Sequence, residues 1–343
     1  MSCFSCGGGS SFGYKLAGFD VIANCEIDPK VNELYRINHH PKYSFCCDIR
    51  GLLSEIRNGG AKMIEELHDL DIFDASPPCS VFSIAGDRES AWGKEKVFRE
   101  GQKAQTLDDL FFYAIDVAKE LQPKVAIFEN VQGLVVGEAK KYVREIYKQL
   151  DEAGYTVQHF LLNARNMGVP QNRPRVFFLC LRKDLAEPFM ESVDLFTMAP
   201  AIDMEFNEKE IPMEEFADYD GRQIPKGVMK YWVNRQPGDK SIGDVVKREE
   251  NRVSMFNNMF VDGNRPCNTI SAMEDRLLYR DYPRYMSVND TILASTFPTD
   301  YDFNGMKPWF ACGMCVPPVM MAQVATRVYD YWLSKINQKG FAV

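Results

Sequence analysis

Cys79 stands behind Pro77 and Pro78 at the end of an apolar run, in the stretch "DASPPCSVFSIAG". A thiol can form and break a bond to carbon, but only as thiolate. With a free pKa of about 8.5 it is a few per cent ionised at neutral pH, so a nucleophile needs exposure and an electropositive or chemically developing partner. The two prolines fix φ and remove two amide donors, so the chain leaves the strand on a rigid, extended path that projects the next side chain from the sheet edge. Ligands of open α/β sheets bind at that carboxyl edge. For an isolated cysteine, packing is the commoner use, and a buried thiol is the competing reading of Cys79.

A second acid–base group follows a later apolar run: "VAIFENVQGL" has Glu129 and Asn130 just past Phe128. Two neighbouring strand ends would turn a thiol and a carboxyl toward one pocket, although an acid there also serves as a helix cap. In "GVPQNRPRVFFLC", Arg173 and Arg175 alternate immediately before a strand, which predicts that they point to the same side. Guanidiniums so placed hydrogen-bond a carbonyl or phosphate, or hold a nearby carboxyl; a surface pair bonded to acidic residues is the plainer alternative.

At the start, "FSCGGGSSFGYKLAGF" puts Gly7, Gly8 and Gly9 before a helix-like segment, and "NCEIDP" ends the next strand. A glycine turn lets backbone approach a nucleotide-like ligand, and an acid after the second strand, here Glu26, takes the ribose hydroxyls. The turn alone is weak and a flexible loop explains it equally well; the pairing with Glu26 favours an adenosine-containing cofactor. Asp48, in "CCDI", is placed to receive an adenine amino group, or is a turn residue in solvent.

The elements that position these residues alternate short apolar runs with helical patterns, as in a parallel sheet covered by helices. The runs predict strands at 21–25, 72–75, 125–128, 156–162 and 176–181. A helix follows Thr106, with Leu110, Phe111, Ala114, Ala118 and Leu121 at helical spacing, and ends before Pro123. Another carries Val143, Ile146, Tyr147 and Leu150 and closes at Gly154. Periodicity fades from about 183 to 262, an irregular module, and returns in a last helix after Pro317 and Pro318 that packs back on the first domain.

The chain has 343 residues, 45% hydrophobic and 26% charged, long for a single core and ordinary for a globular protein. No apolar run approaches the roughly 18 residues of a membrane span, and no basic segment leads into an apolar one at the N-terminus. These features predict a cytoplasmic or nucleoid protein with no membrane partner. The ten cysteines form no regular disulfide framework and are expected to stay reduced. A net charge of −8 argues against indiscriminate nucleic-acid binding. A basic stretch from Lys226 to Arg252, with Tyr231 and Trp232 interleaved, marks a contact surface or a solvated charged face.

Taken together, the ordered set "FSCGGG", "EID", "DI", "PPCSVFS", "ENV", "QNRPR", "RPCNTI" and "GMCVPP", from Phe4 to Pro318, resembles the DNA (cytosine-5) methyltransferase family. The resemblance implies an α/β, doubly wound Rossmann-like methyltransferase domain with a small, irregular target-recognition domain. The expected division is 1–182 for catalysis and S-adenosyl-L-methionine binding, 183–304 for target recognition, and 305–343 for a C-terminal segment returning to the catalytic domain. By resemblance Cys79 attacks C6 of a flipped cytosine and Glu129 bonds N3 and the exocyclic amine. Arg173 and Arg175 contact the base or brace the pocket, and Pro78 walls it. The cofactor, converted to S-adenosyl-L-homocysteine, meets Phe4, Gly7, Gly8, Gly9, Glu26, Asp48, Ile49, Leu110 and Cys315. Flipping a base out of the stack costs a few kcal/mol and calls for a closing loop, for which the polar segment 83–105 is the candidate.

Double-stranded DNA is the implied partner of a monomer, with a cognate restriction endonuclease as a further one. Expected DNA contacts are Ser83 and Arg88 in the loop, and Lys230, Tyr231, Arg235 and Asn257 in the recognition module. The competing readings are methylation of a tRNA cytosine with the same Cys and Glu, and a silent relative that binds DNA only. The family usually has Asp-Leu where this chain has Ser2 and Cys3, commonly a glycine at Cys6, and often an asparagine at Met314. Cys3, Cys6, Cys312 and Cys315 form two C-x-x-C pairs, but their separation is unlike compact zinc modules and both overlap cofactor motifs, so no metal is expected.

Overall fold

The computed structural model describes residues 1–59, 62–78, 109–136, 140–192, 198–253 and 258–338. Two compact units divide the chain: Met1–Leu162, Pro174–Glu205 and Ala322–Val343 form the first, Asn163–Arg173 and Phe206–Met321 the second.

The first unit is built from β1 (Ser2–Cys3), α1 (Gly9–Leu16), β2 (Ala23–Cys25), α2 (Pro29–His39), β3 (Tyr43–Phe45), α3 (Ile49–Asn58), α4 (Lys62–Leu67), β4 (Ile72–Ala75), α5 (Leu110–Leu121), β5 (Val125–Val131), α6 (Lys140–Glu152) and β6 (Tyr155–Asn163). After β7 (Gln171–Asn172), which belongs to the second unit, the chain re-enters the first with β8 (Pro174–Arg182), α7 (Lys183–Ala186) and the antiparallel pair β9 (Met190–Ser192) and β10 (Met198–Pro200).

Its seven-stranded sheet runs in the order β3-β2-β1-β4-β5-β8-β6. From β3 to β5 every pairing is parallel, whereas β8 lies antiparallel to β5. The order grows outward in both directions from β1 and β4, so the chain reverses its winding between them, and the carboxyl ends of those strands form the crevice where such sheets bind ligands. The core explains why the strands read as unbroken apolar runs: Phe73, Ala126, Phe128, Phe178 and Cys180 are fully buried. Phe111 of α5 stacks on Phe128 with centroids 5.3 Å apart, clamping α5 to β5.

The doubly wound sheet agrees with the sequence expectation, and so do the strands near 23, 72, 125, 156 and 176. Two very short strands, β1 and β3, carry too few residues to show a period and are the ones the pattern did not single out. Gly154, with φ +93, follows α6 as expected of a left-handed turn. Thr106, the expected cap of α5, lies outside the described residues.

The second unit comprises α8 (Lys226–Val233), α9 (Ile242–Glu250), β11 (Met259–Val261), β12 (Cys267–Asn268), β13 (Leu277–Tyr279), α10 (Val288–Ala294) and α11 (Pro308–Met314). Its core gathers Ile224, Val228, Tyr231, Ile242, Val246 and Phe260 among others. α12 (Pro318–Val328) continues through a π-helical turn at Tyr329–Leu333 into α13 (Ser334–Gln338). In the first unit Trp332 is fully buried and its indole N–H donates to Ala201 O at 2.8 Å.

The helical stretch Pro308–Gln338 is long and apolar enough, by length and composition, to cross a membrane, because sparse charges satisfy that test without an unbroken apolar run. In its most apolar window 56% is buried inside the protein, as in the core helix of a globular fold.

Candidate active site

Glu129 is the first residue of β5 beyond the part paired with β4, whose last rung joins Ala75 to Phe128. It is 8% exposed. Across the sheet Glu129 faces Phe177 and Val131 faces Arg175, so Glu129 and Arg175 are diagonal neighbours on one face. Arg175 Nε lies 2.9 Å from Glu129 Oε1, and both side chains are about nine-tenths enclosed. An enclosed carboxylate without such a partner would be costly, so the arginine fixes its position and offsets the cost of enclosing it. Asn130, also buried, donates from Nδ2 to Pro77 O at 3.2 Å and so ties the end of β5 to the proline strap leaving β4. Pro77 is buried and Pro78 half-buried. Cys79, next in sequence, lies outside the described residues, as do Ser83, Arg88, the segment 83–105 and Asn257.

The described cysteines are all free thiols. Burial pushes the Cys180 and Cys267 thiols up, and Cys312 up to about 12, which leaves them protonated and inert at neutral pH.

The glycine turn links β1 to α1. Phe4 (φ 54), Cys6 (φ 46) and Gly8 (φ 79) all occupy the left-handed region, which bulky residues hold only where their surroundings over-determine it. Gly8 admits no side chain, since a Cβ there would fall 1.9 Å from His39 Nε2. The His39 ring fills the space beneath the turn, stacked on Tyr35 at 4.4 Å and tilted against Phe12 at 4.2 Å. Burial, with Lys15 nearby, lowers its pKa to about 3 and keeps it neutral. His39 closes α2 as an ordinary helix residue, and no pattern in the sequence marks it. Asn24, fully buried in β2, donates to Ser5 Oγ at 3.1 Å and to Asn32 Oδ1 at 2.8 Å.

Glu26 turns back onto the turn: its carboxylate accepts the amides of Cys6 and Asp28, each at 3.0 Å. Burial raises its pKa while those amide bonds oppose the rise. A carboxylate accepts about four hydrogen bonds, so capacity is left for hydroxyls of a ligand. Asp48 caps α3 through Arg50 N at 2.8 Å, and Arg50 bridges it to Asp109. Ile49 and Leu110 are buried. The structure thus brings Phe4, Gly7, Gly8, Gly9 and Glu26 together around one turn, with Asp48 engaged in a helix cap.

Arg173 and Arg175 take different partners. Arg173, buried, belongs to the second unit and donates to the carbonyls of Ile270, Gly313 and Cys315 at 2.8–2.9 Å. The strand pairing with β5 begins only after Arg173. Cys315, expected near the cofactor, is buried in the second unit with its carbonyl taken by Arg173.

Tyr231 is no surface reader either: it is 4% exposed, in the second unit's core, with its hydroxyl donating to Glu250 at 2.7 Å. Lys230 pairs with Glu250, and the Arg235 guanidinium lies 3.6 Å from the centroid of Trp232. Helical spacing buries one face of α8, and interleaved aromatics fill it. Among the described residues no group of three or more His, Cys, Asp or Glu could hold a metal ion.

Strand order, glycine turn and enclosed acid define a doubly wound, Rossmann-like α/β protein. The family described as C-5 cytosine-specific DNA methylase matches residues 1–330, and the chain belongs to it. It is 36% identical over 185 residues to the Type II methyltransferase M.FnuDI of Fusobacterium nucleatum, 54% of this chain and 47% of that protein, so it spans about half that relative's length. To the Type II methyltransferase M.DdeI of Desulfomicrobium norvegicum it is 24% identical over 98% of this chain and 90% of the relative. Among solved structures, a prophage-encoded E. coli protein described as a DNA modification methyltransferase superposes with a TM-score of 0.66 at 19% identity, over 96% of this chain and 98% of the other.

Proposed function

We propose that this chain is an S-adenosyl-L-methionine-dependent DNA (cytosine-5) methyltransferase. The observation that carries the reading is the enclosed Glu129–Arg175 pair at the end of β5, tied through Asn130 to the proline strap that runs into Cys79, in a chain of this family. On this reading the first unit holds the chemistry and most of the second reads the DNA. The Type II names of relatives favour a cognate restriction endonuclease as partner.

The donor set suits the cofactor. The glycine turn leaves backbone free to approach it, Glu26 keeps acceptor capacity for ribose hydroxyls, and α1 opens with no acidic residue in its first turn, which favours a ligand carboxylate there. When bound, S-adenosyl-L-methionine supplies an electrophilic methyl group.

The Cys79 thiolate adds to C6 of an extrahelical cytosine, and the displaced electron pair makes C5 nucleophilic. Glu129, held by Arg175, accepts from the exocyclic amine and, when it carries a proton, donates it to N3, neutralising the charge that develops there as sulfur adds. After methylation the C5 proton passes to solvent water, its electron pair restores the ring double bond, and sulfur is expelled as thiolate. Pro77 and Pro78 hold the strap stiff, so little order is lost in presenting the sulfur.

A tritiated-methyl transfer assay with duplex DNA and, separately, tRNA tests the reading. Label in the DNA as 5-methylcytosine is expected; label in tRNA alone, or in neither, contradicts it.

A further inference from the structure

One buried acid takes no part in the chemistry above. Asp74 lies inside β4, at the centre of the sheet, and is 1% exposed. Its two oxygens are divided between the two stems of the glycine turn. Oδ2 accepts from Ser2 Oγ at 2.8 Å, and Ser2 is the register partner of Asp74 on β1. Oδ1 accepts from the hydroxyl of Tyr14 at 3.2 Å, and Tyr14 is a buried residue of α1. Between these anchors run the three left-handed residues Phe4, Cys6 and Gly8. Backbone bonds add to the tie on the β1 side, from Asp74 N to Met1 O at 2.9 Å and from Ser76 N to Cys3 O at 3.3 Å.

We infer that Asp74 is a positioning residue for cofactor binding: one carboxyl from β4 clamps both ends of the glycine turn and holds it in the conformation that accepts S-adenosyl-L-methionine. The inference rests on the cofactor reading above. Three left-handed residues within five positions relax unless their surroundings fix them, and the Asp74 side chain ties both β1 and α1 to β4. Loss of the carboxyl also leaves two enclosed hydroxyls without their acceptor, which loosens the stems. Burial raises the Asp74 carboxyl to about 7, opposed by Ser2, the Met1 ammonium and Tyr14 and assisted by Glu129. Asparagine, isosteric and neutral like the protonated acid, keeps a partner for each hydroxyl.

Calorimetric titration of the full chain with S-adenosyl-L-homocysteine provides the test. Asp74→Ala is expected to weaken binding at least about tenfold, Asp74→Asn by less than about threefold, and Tyr14→Phe by about threefold, the effect of one hydrogen bond. Tyr14→Phe should add nothing in the Asp74→Ala background. In turnover the cost should fall on KM for S-adenosyl-L-methionine, with kcat at saturation near wild type. A folded Asp74→Ala that binds like wild type overturns the inference, as does an Asn variant as weak as Ala. Should Asp74→Ala not fold, unchanged affinity in both Ser2→Ala and Tyr14→Phe overturns it. A wild type that fails to bind S-adenosyl-L-homocysteine overturns the cofactor reading instead.

Discussion

Two regions of the same sheet hold their acids in opposite ways. At the end of β5, Glu129 is enclosed against a guanidinium, charge against charge. Around the glycine turn, Glu26 is held by backbone amides and Asp74 by two hydroxyls, with no arginine or lysine in those bonds. The difference follows from what each acid has to do. A carboxyl that meets a developing charge benefits from a fixed, ionised partner, whereas one that only holds a shape, as Asp74 does, needs directional bonds and tolerates a neutral form.

Removing the charge at the β5 edge should have the largest effect. Glu129→Gln is expected to lower kcat by about 10²–10⁴-fold while leaving S-adenosyl-L-homocysteine affinity unchanged; a kcat within a fewfold of wild type would break the contrast. Arg175→Lys keeps the charge but loses the planar fork, and should cost about 10–100-fold in kcat with a measurable loss of thermal stability.

At the turn, smaller changes are expected. Because burial raises the Glu26 pKa, its carboxylate begins to protonate at a higher pH than an exposed glutamate would. Affinity for S-adenosyl-L-homocysteine should therefore fall as pH drops into that raised range, and Glu26→Gln should flatten the dependence. Titrations across pH 4 to 8 separate the two proteins.

Smallest is a trend in stability. Asp74 is raised from the ordinary carboxylate range to about 7, so the folded state binds a proton that the unfolded chain has released. Its contribution is fully present below about pH 4 and is lost as pH rises through about 7. Across that window Tm of wild type should decline relative to Asp74→Asn, and parallel curves would contradict the burial that sets the shift.

Much of this was legible from the chain, for reasons that differ by residue. Glu129 and the glycine turn announce themselves because apolar runs define where strands stop. The Glu129–Arg175 contact was only half legible: alternation places Arg175 on one face but includes Arg173, whose bonds lie in the second unit. Tyr231 misled because aromatics between lysines read alike whether they face a groove or a core. Asp74 and His39 were invisible, since the first looks like part of an apolar strand's end and the second like a helix residue, and only register brings Ser2 beside the one and Gly8 over the other.

On the proposed reading, turnover passes through a covalent bond between Cys79 and a cytosine ring. Incubation of the protein and S-adenosyl-L-methionine with a duplex carrying 5-fluorocytosine, which blocks release of the adduct, followed by mass spectrometry of the digested complex, tests it directly. A crosslinked peptide containing Cys79, absent in Cys79→Ser, is the expected result; no adduct, or one on another residue, would contradict the account.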